Sequence, residues 1–398
     1  MSPGVLYISY DGMLEPLGQS QVLAYLEQLA LGRRIHLISF EKPADCANRT
    51  NVDAVRGRIA RAGIQWHPLR YHKSPSAPAT AYDIAAGTAL ALALTLRHRI
   101  RLIHARSYVA GLMALAVKRT TGARFLFDMR GLWADERVDG GLWPAGGRLY
   151  RAAKNVERRL LLGADRVVTL THASEREIRG FDYLQEKAPP ITVIPTCADL
   201  DRFRIQGPLQ TDPFVLGYVG SVGTWYLLDE MLRCFVLLRE QVPGARLLIV
   251  NRAEHPLIAV RAEAHGIPAG ELELVAASHD EMPALIARMS AAMALIKPAY
   301  SKIASAPTKL GEYLGCGVPC LGNVGVGDVG EVLEGHRVGV AVRDFSDAHL
   351  RESLSRLVTL ARDETVQQRC RDAALELFSL ERGTASYDAI YREMDASA

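Results

Sequence analysis

Cysteine is scarce and unpatterned. The six in 398 residues, Cys46, Cys197, Cys234, Cys316, Cys320 and Cys370, form no CxxC pair and no zinc-like spacing, and no histidine cluster accompanies them. A disulfide framework and a zinc module are excluded, no metal site is expected, and reduced, mostly buried thiols fit a reducing compartment. Charge of one sign is lacking too: 47 Lys and Arg stand against 44 Asp and Glu, a net +3. That gives no global basis for nucleic-acid binding, and none is expected. The most apolar stretch, residues 84–96, is short for a bilayer and contains Gly87, Thr88 and Thr95, so it is read as a buried helix. The first residues, MSPGVLYISYDG, enter a strand with no basic region and no apolar signal core; secretion is not expected, and the cytoplasm is. No GxGxxG follows the first strand, which disfavours a nicotinamide cofactor. No internal repeat, heptad or low-complexity tract is present.

What the chain does contain is alternation. Apolar runs at 5–9, 35–40, 101–105, 125–127, 166–170 and 192–194 read as buried parallel strands, with helical patterns between most of them, the first at 19–31. A Gly/Pro-containing polar stretch at 205–213 reads as a linker. The alternation then resumes with strands expected at 214–219, 246–250, 272–275, 293–296, 319–321 and 338–342. The expected fold class is α/β: two Rossmann-like, doubly wound parallel-sheet domains facing a central cleft, 1–206 and 207–380. The tail is helical in pattern, with a break expected near Gly383.

One stretch concentrates the chemistry: KPAYSKIASAPTKLGEYLGCGVPCLG, from Lys297 to Gly322. Pro307 fits the first position of a helix, with Ser305 or Ala306 as cap and Gly315 and Gly317 closing it. Unpaired amides and the positive dipole end suit an anion, and Ser305, Thr308 and Lys309 add two hydroxyls and a cation. Glu312 lies one turn beyond Thr308 on the same face, where its carboxylate can accept hydrogen bonds from the hydroxyls of a ribose. Together they suit a nucleoside diphosphate; an ordinary capped helix with a solvated Glu–Lys surface fits the same residues.

Other candidates stand at strand ends. After the first strand, YDGMLEPLGQSQ carries Gly12, Pro16 and Gly18, the last allowing close approach of backbone to a ligand, with Gln19 on the acceptor side; a long turn without a ligand is the bland alternative. In FLFDMRGLWADER, Asp128 and Arg130 follow an apolar strand; Asp128 suits an acid–base or charge-stabilising role, or the capping of the next helix. In the second half, GYVGSVGTWYLL brings Ser221 and Thr224 to strand ends, and Arg252 and Lys297 close two further strands. Arg148, Arg151, Lys154, Arg158 and Arg159, interleaved with leucines, read as a basic amphipathic helix that suits an anionic membrane surface, or as an ordinary solvated helix.

In this order, DGMLEPLGQSQ, DMRGLWADERVDGG, VIPTCADLDRF, GYVGSVGTWYLLDEM and SAPTKLGEYLGCGVP resemble bacterial family 4 glycosyltransferases, of the GT-B fold group. The resemblance covers nearly the whole chain. It implies retaining transfer of a sugar from a nucleotide-diphosphate sugar to a glycan or lipid-linked acceptor, without a metal or other cofactor, in cell-surface polysaccharide synthesis. It also implies that a C-terminal helix, 381–398, crosses back onto the first domain; the basic helix, suited to a lipid-linked acceptor, adds the expectation of a cytoplasmic enzyme peripheral on the inner face of the cytoplasmic membrane. By that similarity Glu312 is the second glutamate of a two-glutamate motif and binds the ribose, while Thr308 and Lys309 lie near the diphosphate. Asp128 matches a catalytic or sugar-contacting position, and Gly18 a glycine loop near donor and acceptor. The chain departs from the pattern at Ala304, where the first glutamate would stand, and at Ser221 and Trp225 or Tyr226, where a basic pair would stand. Lys297, Lys309 and Arg252 are therefore the expected diphosphate cations. A sugar-nucleotide epimerase of the same fold and a non-catalytic nucleotide-sugar binder remain the alternatives.

Overall fold

The computed structural model describes residues 4–396. Its chain divides into two compact units, one made of residues up to 194 together with the segment from 380 onward, the other of residues 195–379.

The first unit is built on seven parallel strands: β1 (Gly4–Ser9), β2 (Arg34–Glu41), β3 (Gln65–Arg70), β4 (Leu102–Arg106), β5 (Arg124–Asp128), β6 (Arg166–Thr169) and β7 (Ile191–Val193). They lie in the order β3-β2-β1-β4-β5-β6-β7. Central strands such as β1 and β4 are buried on both faces, which is why they read as unbroken apolar runs. The strand not expected from the sequence is β3, QWHPLR. It sits at the sheet edge, keeps most side chains half-exposed and tolerates Pro68, so it carries no apolar run to detect.

The apolar stretch at 84–96 belongs to a longer helix, Ser76–His98, and only part of it is buried. Its inward face packs so closely that a Cβ on Gly87 would lie 2.6 Å from the Met113 sulfur. Asp83 on that face is buried against Tyr10 Oη (2.9 Å) and the His72 ring (2.6 Å). Outward, Tyr82 and Leu96 are exposed, so the expected buried helix is buried on one side only.

The second unit has six parallel strands: β8 (Val215–Val219), β9 (Arg246–Val250), β10 (Leu272–Val275), β11 (Ala291–Ala294), β12 (Cys320–Asn323) and β13 (Gly339–Val342). Their order is β10-β9-β8-β11-β12-β13. Leu295 and Ile296, expected in β11, leave the ladder. Leu295 accepts from the Leu227 amide, and Ile296 forms an antiparallel bridge with Tyr226, so the turn after β8 folds back on this strand end.

The boundary falls earlier than the linker expected at 205–213. Residues 195–203 pack into the second unit: Leu200 and Phe203 join the cluster around Leu310 and Leu314, and the Arg371 guanidinium donates to the carbonyls of Leu200, Phe203 and Gly315. At the other end the helix break lies at Phe378 and Ser379 rather than Gly383, because the Ala198 amide donates to the Phe378 carbonyl there. The last helix, Leu380–Ala396, docks on the first unit, where buried Arg33 pairs with Asp388 (3.1 Å) and Asp395 (2.6 Å).

At the β2–β3 edge, His36 Nδ1 lies 3.3 Å from His67 Nε2, and the His98 ring is centred 4.3 Å from that of His36. Burial, aided by His98, His67 and Arg34, pushes His36 down to about 4, and His67 is lowered by burial and His98. In the unfolded chain these histidines titrate near their ordinary value, so below it the unfolded state takes up protons the folded state refuses. The stability they contribute is complete above pH ~6.5 and is lost as pH falls toward ~4, at no more than about 1.4 kcal/mol per pH unit for each proton. Thermal unfolding of the whole chain should therefore show a Tm that drops from pH 6.5 to 5, and His36→Asn should flatten that slope; an unchanged slope would refute the assignment.

Candidate functional site

In a parallel sheet every strand delivers its C-terminal residue to the same edge, and at that edge of the second unit stands the helix Thr308–Gly315. Pro307 precedes its first residue rather than occupying it, and no side chain caps it, so neither Ser305 nor Ala306 serves as the expected cap. Gly317, at φ +78°, lets the chain turn away after the helix. Glycines also set its depth: a Cβ on Gly311 would stand 2.9 Å from the Phe378 Cβ, and one on Gly315 2.7 Å from Leu200.

From the first turn of this helix Lys309 reaches inward and is only 8% exposed. Its ammonium donates to Tyr218 Oη (3.0 Å) and lies 4.2 Å and 3.9 Å from the ring centres of Tyr218 and Tyr226. Tyr218 in turn donates to the Ser221 carbonyl (2.5 Å). Gly220 follows of necessity, since it holds φ +130° and a Cβ there would meet the Lys309 nitrogen at 3.0 Å. Burial pushes Lys309 down to about 7, against the pull of Glu312; burial likewise pushes the Glu312 carboxyl up to about 7, against the pull of Lys309.

The turn after β8 is held from β9. Asn251 Nδ2 donates to the Gly220 carbonyl (2.9 Å) and to Glu254 (2.8 Å), and Glu254 accepts from the Val222 amide (3.0 Å). Ser221 and Thr224 are exposed on this turn, Thr224 at φ +31°; Ser305 and Thr308 are half-buried at the helix start. Arg252 and Lys297 are exposed, so the three cations expected to converge do not share one environment, and only Lys309 enters the aromatic cluster. Lys302, which sequence reasoning passed over, does resemble it: the side chain is buried, with Nζ 3.7 Å from the centre of the Trp225 ring.

In the first unit the corresponding edge gathers buried charge. Asp128, the last residue of β5, is 1% exposed. Around it lie His104 Nε2 (3.6 Å), Arg106 (3.8 Å), Arg130 (3.9 Å) and Tyr387 Oη, which donates to it (3.2 Å). Burial alone would raise its pKa, but Arg130, His104 and Arg106 hold it below the usual carboxylate value; burial lowers His104 despite Asp128. His104 Nδ1 shares a 2.6 Å hydrogen bond with Tyr391 Oη. Asp128 does not cap the next helix, whose N-cap is Leu132, and its carboxylate is buried. It is an ionised anchor for Arg106 and Arg130, and Arg130, half-buried at φ +60°, is the more accessible of the pair Asp128–Arg130.

Gly18 has an internal reason as well: a Cβ there would lie 1.9 Å from the Gly12 carbonyl oxygen, so the fold of the turn by itself requires glycine. That turn is fastened by Glu41, which accepts from the amides of Met13 (2.9 Å) and Leu14 (3.1 Å) and from Ser39 Oγ (2.6 Å). Gln19 opens a π-helical turn, Gln19–Leu23, and its side chain bridges the Leu14 carbonyl (3.5 Å) and Arg58 (3.3 Å). Of the residues missed, His104 and Arg106 were signalled by polar positions at the end of an apolar strand; Tyr387 and Tyr391 had no local signal. Among the described residues no three His, Cys, Asp or Glu side chains group to hold a metal ion.

The Lys309–Glu312 pair sets a stability test. A glutamate raised to about 7 loses stability as pH rises from its ordinary value through 7, and a lysine lowered to about 7 loses it as pH falls from its ordinary value through 7. The combined cost peaks near pH 7. The neutral double variant Lys309→Met, Glu312→Gln should be more stable than the parent near pH 7, with a smaller gain at pH 5 and pH 10. Calorimetric Tm values showing no maximum in the difference would overturn this.

Residues 21–197 match the family described as "Glycosyl transferase 4-like domain". No curated protein matches the chain significantly. Among solved structures, it is similar to a sucrose-phosphate synthase from Thermosynechococcus elongatus (15% identity, TM-score 0.73) and to a glycosyltransferase from Rickettsia africae (14%, 0.71), each covering 100% of both chains. It is also similar to Anabaena HepE in complex with UDP (14%, TM-score 0.66), over 98% of this chain and 100% of that one. The likeness in structure establishes the fold: two Rossmann-like parallel-sheet α/β domains of the GT-B type.

Proposed function

We propose that this chain is a glycosyltransferase that moves a sugar, with retention of configuration and without a metal or other cofactor, from a nucleotide-diphosphate sugar to a hydroxyl of a glycan or lipid-linked acceptor. The observation that carries the reading is the helix Thr308–Gly315, which presents an uncapped N-terminus, Lys309 and Glu312 at the C-terminal strand edge of the second unit. The match to a glycosyl transferase 4-like domain supports it, as does the GT-B fold shared with HepE, solved with UDP and with UDP-glucose.

In this reading the second unit holds the donor. Glu312 accepts from the ribose hydroxyls; Thr308, Ser305, Ser221 and Thr224 offer hydroxyls and amides to the diphosphate, and Lys309 supplies charge. Arg252 and Lys297, exposed, serve only if they swing in. The bond from the anomeric carbon to the diphosphate oxygen breaks as the acceptor oxygen bonds from the same face, and the acceptor proton passes to the departing diphosphate. The protein's part is to stabilise that anion and orient two substrates. On the first unit Asp128 works by holding Arg106 and Arg130, with Arg130 and Gln19 on the acceptor side.

The lipid-linked acceptor is supported by the helix Arg148–Gly163. Lys154 turns inward to Asp135 (2.9 Å) and Glu157 (2.5 Å), but Arg148, Arg151, Arg158 and Arg159 are exposed beside exposed Leu142, Leu149 and Leu162. Such a face suits anionic lipid on the cytoplasmic side of a membrane, where polysaccharide is assembled.

Two experiments test this. A panel of nucleotide-sugars should contain one that raises Tm in the parent and fails to do so in Glu312→Ala, because a ligand bound only by the folded state stabilises it. With an acceptor that donor should give product of unchanged anomeric configuration, equally with and without EDTA, and Lys309→Ala should lower kcat more than it raises the acceptor KM. Inverted product, or a stabilising donor that is epimerised or never consumed, would refute the assignment. Separately, exchanging the four exposed arginines for glutamine should weaken co-sedimentation with anionic vesicles roughly 100-fold or more; pelleting independent of anionic lipid would remove the membrane from the proposal.

A further inference from the structure

The second unit has a further cavity at the other edge of its sheet. Its volume is about 490 Å³, within the range of small-molecule sites, and Gly339, the first residue of β13, lines it. Lys309 and Glu312 stand at the C-terminal strand edge, so the length of the strands separates the two places. Three arginines from three elements converge on the cavity: Arg337 from the turn into β13, Arg356 from the helix Asp347–Ala361 and Arg369 from the helix Val366–Leu377.

Two carboxylates line the same cavity, and each is committed to a backbone amide. Glu334 accepts from the Ala341 amide (3.1 Å) and from Arg356 Nη2 (2.7 Å). Asp363 accepts from the amide and the hydroxyl of Thr365 (2.8 Å each) and pairs with Arg369 Nη1 (3.0 Å). Arg369 Nε donates to the Arg337 carbonyl (3.2 Å). Each carboxylate therefore fixes one guanidinium by one nitrogen and leaves others able to donate.

Arg337 is held by neither. The helix Val329–Gly335 ends in a Schellman turn, with the Val338 amide donating to the Leu333 carbonyl (3.0 Å) and the Arg337 amide to the Glu334 carbonyl (3.3 Å). That turn sets Arg337 at φ +54°, the place where helices most often carry glycine. Among the described residues its guanidinium makes no hydrogen bond or ion pair. The backbone asks for glycine at this point; an anion in the cavity is what asks for arginine.

We propose that this cavity binds a phosphorylated sugar, with its phosphoryl group on Arg337, Arg356 and Arg369. Guanidinium forks match the oxygens of a phosphoryl group, and three of them outweigh the two carboxylates. A phosphoryl group fills only part of the volume. The rest is lined by the Ser355 hydroxyl, by carboxylate oxygens able to accept from sugar hydroxyls, and by Val340 and Leu360. No aromatic ring is among the lining residues to stack a nucleotide base, so a sugar is the organic part. The site goes beyond the donor reading and does not depend on it.

The test is calorimetric binding of glucose 6-phosphate, fructose 6-phosphate, inorganic phosphate and glucose to the full chain. One of the two sugar phosphates should bind more tightly than inorganic phosphate or glucose. Arg337→Gly should weaken that sugar phosphate about ten- to hundredfold, as expected for losing a charged hydrogen-bond donor, with Tm unchanged or raised because glycine relieves the left-handed backbone. Arg356→Gln should weaken it as well, and the Lys309→Met, Glu312→Gln double variant should bind it as the parent does. Failure of both sugar phosphates to bind overturns the proposal, as does unchanged affinity in Arg337→Gly and Arg356→Gln. Inorganic phosphate binding as tightly as either sugar phosphate would reduce the cavity to an adventitious anion site. Loss of binding in the double variant would move the ligand to the opposite edge, and a Tm lowered along with affinity in both arginine variants would make these arginines packing groups; each of these results also overturns it.

Discussion

A lysine ammonium sealed among tyrosine rings is the constraint on which the second unit's candidate site depends. Taking such a charge out of water is costly unless the surroundings return most of the lost solvation. Here the return comes from Tyr218 and Tyr226 and from one hydrogen bond to Tyr218. Several neighbouring features follow. Gly220 carries the φ of +130° that brings the chain past the ammonium, Tyr218 is pinned to the Ser221 carbonyl, and Gly311 and Gly315 let the helix that carries Lys309 sink against Phe378, Leu200 and Phe203. Residues 195–203 therefore belong to this unit for a packing reason: they form the wall against which the helix is set.

The first unit solves a similar problem with the opposite sign. Asp128 is buried as an anion, and its field is balanced by Arg106 and Arg130 and by the Tyr387 hydroxyl. Part of that environment is supplied by the last helix of the chain, whose Tyr391 also fixes His104. Docking of Leu380–Ala396 thus does more than cover apolar surface: it completes the polar lining at the ends of β4 and β5. The ion pairs of Arg33 with Asp388 and Asp395 hold that helix in register.

How much of this could be read in advance follows from where the signals lie along the chain. The central strands were legible because burial on both faces leaves an apolar run, and β3 was not, because an edge strand with Pro68 leaves none. Thr308, Lys309 and Glu312 were legible because helix start, cation and carboxylate are contiguous. Tyr387 reaches Asp128 across 259 residues and Tyr391 reaches His104 across 287, and no local pattern encodes such a meeting. Lys302 was overlooked for a different reason. A lysine inside a short turn reads as a surface charge until the ring beneath it is known, and Trp225 comes from another strand end. Gly18 shows the converse: a glycine in a suggestive loop was required by the Gly12 carbonyl beside it.

Backbone strain falls on the same edges as the buried charge. Among the described residues six other than glycine hold positive φ, and three of these, Ser107, Arg130 and Thr224, stand just beyond the C-terminal ends of β4, β5 and β8. Each costs on the order of 1–3 kcal/mol unless the surrounding structure dictates it. A sheet selected for stability alone would place Gly or Asn at such turns and would keep Lys309, Glu312 and Asp128 either solvated or replaced by apolar groups. The chain instead concentrates strain and desolvated charge along the two edges where a parallel sheet presents its loops. Both departures lower stability, and the proposed function accounts for both together, because a pre-set anion site holds its cations dry before the anion arrives.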